Sequence, residues 1–152
     1  MITAEVLLGE FDCPVRPQGD RPTCLAFALC DLNRRFSPAE LSPEYFYRAA
    51  ARLIPNWRPG DGLQFAEAQQ ASYLGQPEED RFPYCEADPD IPIPDLPTDL
   101  PMYGNALTFE PRDVATLAAS IRAGRAIGLG LRTTQEFFHP IEGIVKPSAT
   151  SN

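Results

Sequence analysis

The chain has 152 residues, enough for one domain with a real core, and 43% hydrophobic with 22% charged residues is a globular rather than a disordered composition. A formal net charge of -8 and a sequence pI of about 4.6 argue against nucleic acid or an anionic membrane as partner. No apolar run approaches the roughly 20 residues that span a bilayer, and the opening MITAEVLLGE has no basic n-region, so no signal peptide is read and a cytoplasmic location is expected.

Seventeen prolines predict long irregular connections between few regular elements. Residues 1–22 read as an extended lead-in closed by the polar turn Pro17-Gln18-Gly19-Asp20-Arg21-Pro22. A helix is expected from Cys24 to Arg35 with Thr23 as its N-cap. Its opening, Cys24-Leu25-Ala26-Phe27-Ala28-Leu29-Cys30, is apolar on every face, the pattern of a buried helix. Arg34 and Arg35 put cations at the negative end of its dipole.

Ser42-Pro43-Glu44 is a strong start signal for a second helix running to Leu53: a cap, proline at N1, then a carboxylate. Pro59-Gly60-Asp61-Gly62 is a turn. A third helix follows from Leu63 to Leu74, ended by Gly75. Residues 76–105 are proline-rich and lack helical period, which marks them as the crossing between two halves of the fold. Pro111 opens a fourth helix, Arg112 to Ala123, closed by Gly124. Ala126 to Arg132 reads as a buried strand, and Phe137-Phe138 and Ile144-Val145 as further apolar anchors. Helices first and strands late make an α+β chain, with a helical half over 1–105 and the start of a β-rich half over 106–152.

The cysteines, Cys13, Cys24, Cys30 and Cys85, show no two-residue spacing, and His139 is the only histidine. Neither a metal site nor a cofactor is expected. A reducing compartment would leave the thiols free, with a Cys13–Cys85 disulfide as the alternative. Cys24 differs from the others because it opens a helix. The positive end of a helix dipole favours a thiolate there, and the thiolate is the nucleophile. The competing reading is a small apolar core residue. Gln18, six residues earlier, can return its side-chain amide towards the sulfur and stabilise an oxyanion formed when Cys24 attacks a carbonyl. His139 reads as an exposed loop residue, Glu78-Glu79-Asp80 as a solvated face, and Tyr45, Phe46 and Tyr47 as interhelix packing.

The string Gln18-Gly19-Asp20-Arg21-Pro22-Thr23-Cys24-Leu25-Ala26-Phe27-Ala28 resembles the active-site segment of papain-like cysteine peptidases. Leu41-Ser42-Pro43-Glu44-Tyr45-Phe46-Tyr47 is similar to the second helix of bacterial and bleomycin-hydrolase-like members. Asp61-Gly62-Leu63, Phe82-Pro83-Tyr84, Ile121 to Leu129, Glu136-Phe137-Phe138 and Gly143-Ile144-Val145 continue the likeness in order. The resemblance implies a papain-like fold whose central buried helix carries the cysteine. It makes Cys24 the nucleophile, the Gln18 amide and the Cys24 backbone N–H the oxyanion hole, and Gly62, with Asp61 beside it, the contact for extended substrate backbone. The expected activity is hydrolysis of peptide bonds through an acyl-enzyme, on a peptide or protein substrate.

The departures from that pattern are specific. Leu25 replaces an aromatic, Pro22 a glycine, and Asp61 the first glycine of the substrate-binding pair; Arg21 stands where many members carry a disulfide cysteine. The sequence given ends before the strand that would carry the catalytic histidine, and His139 is not in its place. The expectation is therefore that the histidine comes from another segment or a second chain. The alternatives are a non-catalytic papain-like protein that binds peptides, and a relative that transfers the acyl group to an amine.

Overall fold

A computed structural model of the chain describes residues 14–34, 37–87, 95–104, 107–110, 113–130, 135–139 and 141–142. Among these residues five helices follow in order: α1 (Cys24–Asn33), α2 (Pro43–Ala51), α3 (Phe65–Ser72), α4 (Val114–Arg122) and α5 (Gln135–Phe138). The chain is mixed in secondary structure but dominated by helix. Pairing between extended segments includes the isolated antiparallel bridges Leu41–Glu78 and Gln76–Tyr103.

The capping chemistry explains where the helices begin and stop. Ser42, in extended backbone, accepts the Tyr45 N–H at 3.0 Å and caps α2, with Pro43 at N1 where its missing N–H costs nothing. Asp113 accepts the Thr116 N–H at 2.8 Å and caps α4; the expected openers Pro111 and Arg112 lie outside the described residues. Gly75 closes the turn after α3 at φ +76°, a conformation that L side chains rarely adopt. There its backbone meets Gly104, where an added Cβ would stand 2.9 Å from the Gly75 Cα. Two glycines thus let the 102–104 segment pair with Gln76, through Gln76 N–H to Tyr103 O at 2.6 Å and Tyr103 N–H to Gln76 O at 2.8 Å.

Helix α2 packs against both α1 and α3. Ala26, Leu29 and Cys30 of α1, Tyr45, Phe46, Tyr47, Ala49 and Ala50 of α2, and Ala68 and Ala71 of α3 form the core with Leu41. Every residue of α2 is buried, so Tyr45, Phe46 and Tyr47 are packing residues as expected. Each large side chain so buried contributes about 1.5–3 kcal/mol relative to exposure. A polar thread crosses this core: Asn33 Nδ2 donates to Gln76 Oε1 at 2.8 Å, and Gln76 Nε2 donates to Cys30 Sγ at 2.6 Å. Burial of such groups is costly without partners; the Asn33 nitrogen and both ends of the Gln76 amide have them, and Asn33 Oδ1 has none among the described residues.

Four expectations change. Helix α1 is not buried all round, because Cys24 and Ala28, four residues apart and hence on one face, are exposed. Ala126 to Gly130 forms no strand, and Gly128, Leu129 and Gly130 are exposed. The alternating glycines offer no side chains to a β pair; instead Leu32 lies under Gly128 and the Phe65 ring under Gly130. Phe137 and Phe138 are exposed, stacked edge-to-face on each other at 5.5 Å rather than anchored. Of Glu78-Glu79-Asp80 only Asp80 is fully exposed; Glu78 and Glu79 are half-buried, and Glu79 turns to accept the Tyr84 N–H at 2.8 Å. Cys13, Arg35, Leu131, Arg132 and the Gly143-Ile144-Val145 segment lie outside the described residues.

Candidate functional site

Cys24 stands at the first position of α1, exposed, with a free thiol. Cys85 is also free and exposed, so it takes no disulfide partner; Cys30 is free and wholly buried. Burial pushes the Cys30 thiol far above the ordinary range, outweighing the nearby Arg16 and the Gln76 amide, and it stays protonated. Among these three thiols Cys24 alone combines exposure with a helix N-terminus.

The turn before Cys24 is built by named contacts. Gly19, at φ +61°, turns the chain, and Gln18 Nε2 donates to the Arg21 carbonyl at 3.2 Å. The Gln18 amide is thus committed, through one of its two N–H groups, to its own turn. Tyr84, from the 82–85 segment, reaches across: its hydroxyl donates to the Gln18 carbonyl at 2.7 Å and lies 2.8 Å from the Thr23 hydroxyl. A phenol has one proton, so Thr23 is the donor in the second bond. The Tyr84 ring stands edge-on to Phe27 of α1, centroids 4.8 Å apart. Thr23 occupies the N-cap position at φ −102° and ψ 8°, yet its side chain makes no bond to the helix.

Arg21 holds the same turn from beneath. Its guanidinium is buried and engages both Glu44 carboxylate oxygens, while Nη1 also donates to the Cys85 carbonyl. Glu44 further accepts Arg48 Nε at 2.6 Å and the Cys85 N–H at 3.2 Å. The guanidinium carbon sits 5.2 Å from the Tyr47 ring centroid and 5.0 Å from that of Tyr84. A cation removed from water is tolerated here because carboxylate, carbonyl and two aromatic faces surround it.

The loop carrying Asp61 and Gly62 comes to the other side of this turn. A Cβ added at Gly62 would stand 3.8 Å from the Pro22 carbonyl oxygen. The structure therefore brings Gly62 beside the residue two positions before Cys24. Asp61 is exposed, but its carboxylate accepts the Arg58 N–H at 2.7 Å and its carbonyl accepts the Tyr47 hydroxyl at 2.6 Å. Its polar atoms hold the loop to itself and to α2. His139 is exposed on the bend after α5, its N–H bonded to the Glu136 carbonyl at 3.3 Å. Among the described residues no hydrogen bond or ion pair joins it to Cys24.

The sequence reading missed Glu44 and Tyr84 as builders of this site. Glu44 and Arg48 at i and i+4 on one helix are a readable pair. The reach of Tyr84 to Gln18 and Thr23 spans more than sixty positions and leaves no local signal.

Comparison with models of known protein families finds no match, and a search among curated proteins finds none either. Among the described residues no helix is long and apolar enough to cross a membrane.

Proposed function

We propose that the chain is the cysteine-bearing part of a papain-like peptidase that cleaves peptide bonds through a Cys24 acyl-enzyme. The observation that supports this most is the exposed Cys24 thiol at the start of α1, flanked by the braced Gln18–Thr23 turn and the Gly62 loop. The Cys24 sulfur attacks the scissile carbonyl as the thiolate. The Cys24 backbone N–H and the second N–H of the Gln18 amide then serve the oxyanion. Gly62, lacking a side chain, leaves backbone open to an extended peptide. His139 is not the base, so an imidazole from another segment or a second chain takes the thiol proton and returns it to the leaving amine.

One observation favours a second reading, a peptide-binding protein without catalysis. The Gln18 amide already donates to the Arg21 carbonyl, which turns part of the oxyanion donor inward.

The test uses the protein isolated from its native cells with any chain that copurifies. It is treated with an epoxysuccinyl probe at mildly acid pH and read by intact mass. A single fast adduct that disappears in Cys24→Ala is expected, because only a thiolate paired with imidazolium reacts fast there. No adduct, or one that persists in Cys24→Ala, overturns the peptidase reading and leaves the binding protein.

A further inference from the structure

Thr23 stands where a helix cap belongs and does not cap. A threonine at this position ordinarily turns its oxygen onto the N–H of the second or third helical residue. Here those groups belong to Leu25 and Ala26, and no side-chain bond from Thr23 reaches them. The Thr23 hydroxyl instead donates to Tyr84, and Tyr84 donates onward to the Gln18 carbonyl. The wholly buried Thr23 has no access to water that could compete for its hydroxyl. Its ψ of 8° is far from the extended backbone of a side-chain cap such as Ser42, whose ψ is 110°. One phenol oxygen thus bridges both ends of the turn, and the Thr23 oxygen lies away from the helix end.

We infer that Tyr84 is a positioning residue for the Cys24 thiol: by holding the Thr23 hydroxyl and the Gln18 carbonyl together, it leaves the first N–H groups of α1 uncapped for the sulfur. This rests on reading Cys24 as the nucleophile. A Thr23 oxygen on the Leu25 or Ala26 N–H would place partial negative charge beside Cys24 and consume donors that the sulfur could otherwise use. Tyr84 prevents this without touching the reacting atoms. The ring stays useful apart from its hydroxyl, because its edge-on contact with Phe27 survives in phenylalanine.

The experiment measures the alkylation rate of each cysteine at neutral pH in the full chain, with peptide mapping to separate Cys13, Cys24, Cys30 and Cys85. Cys85 is the exposed reference thiol, and protection of buried Cys30 reports that the fold is intact. Tyr84→Phe should slow Cys24 by about two- to fivefold relative to Cys85, the range that helix-end charge effects span. Tyr84→Phe combined with Thr23→Val should restore the original rate, since valine cannot cap; the Gln18 carbonyl loses its Tyr84 donor in both variants alike, so the rescue isolates the Thr23 oxygen. General loosening of the turn would not be rescued by a second substitution. A Cys24 that Tyr84→Phe does not slow, or a slowing that persists in the double variant, overturns this inference alone. A Cys24 that reacts no faster than Cys85 in the unaltered chain overturns the nucleophile reading and this inference together.

Discussion

Arg21 and Glu44 form a two-pronged ion pair whose side chains are 2% and 1% exposed, one in the turn before α1 and the other in the first turn of α2. A buried pair of this kind is weak evidence for net stability, because desolvation offsets its attraction. Removing one partner is different, since it strands the other charge. Glu44→Gln strands two cations, Arg21 and Arg48, and should cost about 3–5 kcal/mol. Urea unfolding followed by circular dichroism checks this. A loss below about 1 kcal/mol, the range of exposed pairs, would mean that water reaches the guanidinium.

Ser42 works twice. It caps α2 through the Tyr45 N–H, and its hydroxyl donates to the Phe82 carbonyl at 2.5 Å. Ser42→Ala removes the cap and leaves that carbonyl without its partner, so the expected loss is about 1–2 kcal/mol. Ser42→Thr keeps the oxygen and should recover most of it. Equal unfolding midpoints for the alanine and threonine variants would sink the capping argument.

What was legible in the sequence was local. Ser42-Pro43-Glu44 announced the start of α2 and Gly75 the stop after α3, because caps and stops act within one turn of the chain. Cys24 at a helix start was legible for the same reason. The strand expected over Ala126 to Arg132 is absent from its described part, Ala126 to Gly130, because apolar alternation does not supply a partner, and Gly128 and Gly130 received Leu32 and Phe65 instead. The tie from Tyr84 to Gln18, and the fold of Arg21 onto Cys85, depend on segments far apart in sequence. No period or motif encodes such a contact before the core has assembled.

Gly104 approaches Gly75 so closely that a Cβ would meet its Cα at 2.9 Å and the Ser72 carbonyl at 3.4 Å. Both neighbours are backbone and cannot rotate away. Gly104→Ala should therefore separate Tyr103 from Gln76 and cost about 1–3 kcal/mol, the usual range for overpacking. Amide exchange at Tyr103 reads the same event locally: its N–H, bonded to the Gln76 carbonyl at 2.8 Å, should lose protection before the helices do. Unchanged protection at Tyr103 would show that the two glycines can part without breaking the bridge.

Glu79 gives a pH dependence of defined sign. Burial raises its carboxyl above the ordinary glutamate range, and the nearby Glu40 and Glu44 add to the effect; the Tyr84 N–H and the Arg16 guanidinium oppose it without cancelling it. A carboxyl raised in the folded state takes up its proton before the unfolded chain does as pH falls. Stability from this group is therefore fully present below its unfolded value and is lost as pH rises through the folded one. Glu79→Gln keeps an oxygen for the Tyr84 N–H but cannot titrate. Subtracting its stability curve from that of the unaltered chain cancels the other carboxylates. The difference should move in favour of the unaltered chain as pH falls from neutrality towards the ordinary glutamate range. Parallel curves across that window would show that Glu79 ionises as it does in water, and that its bond to the Tyr84 segment does not depend on protonation.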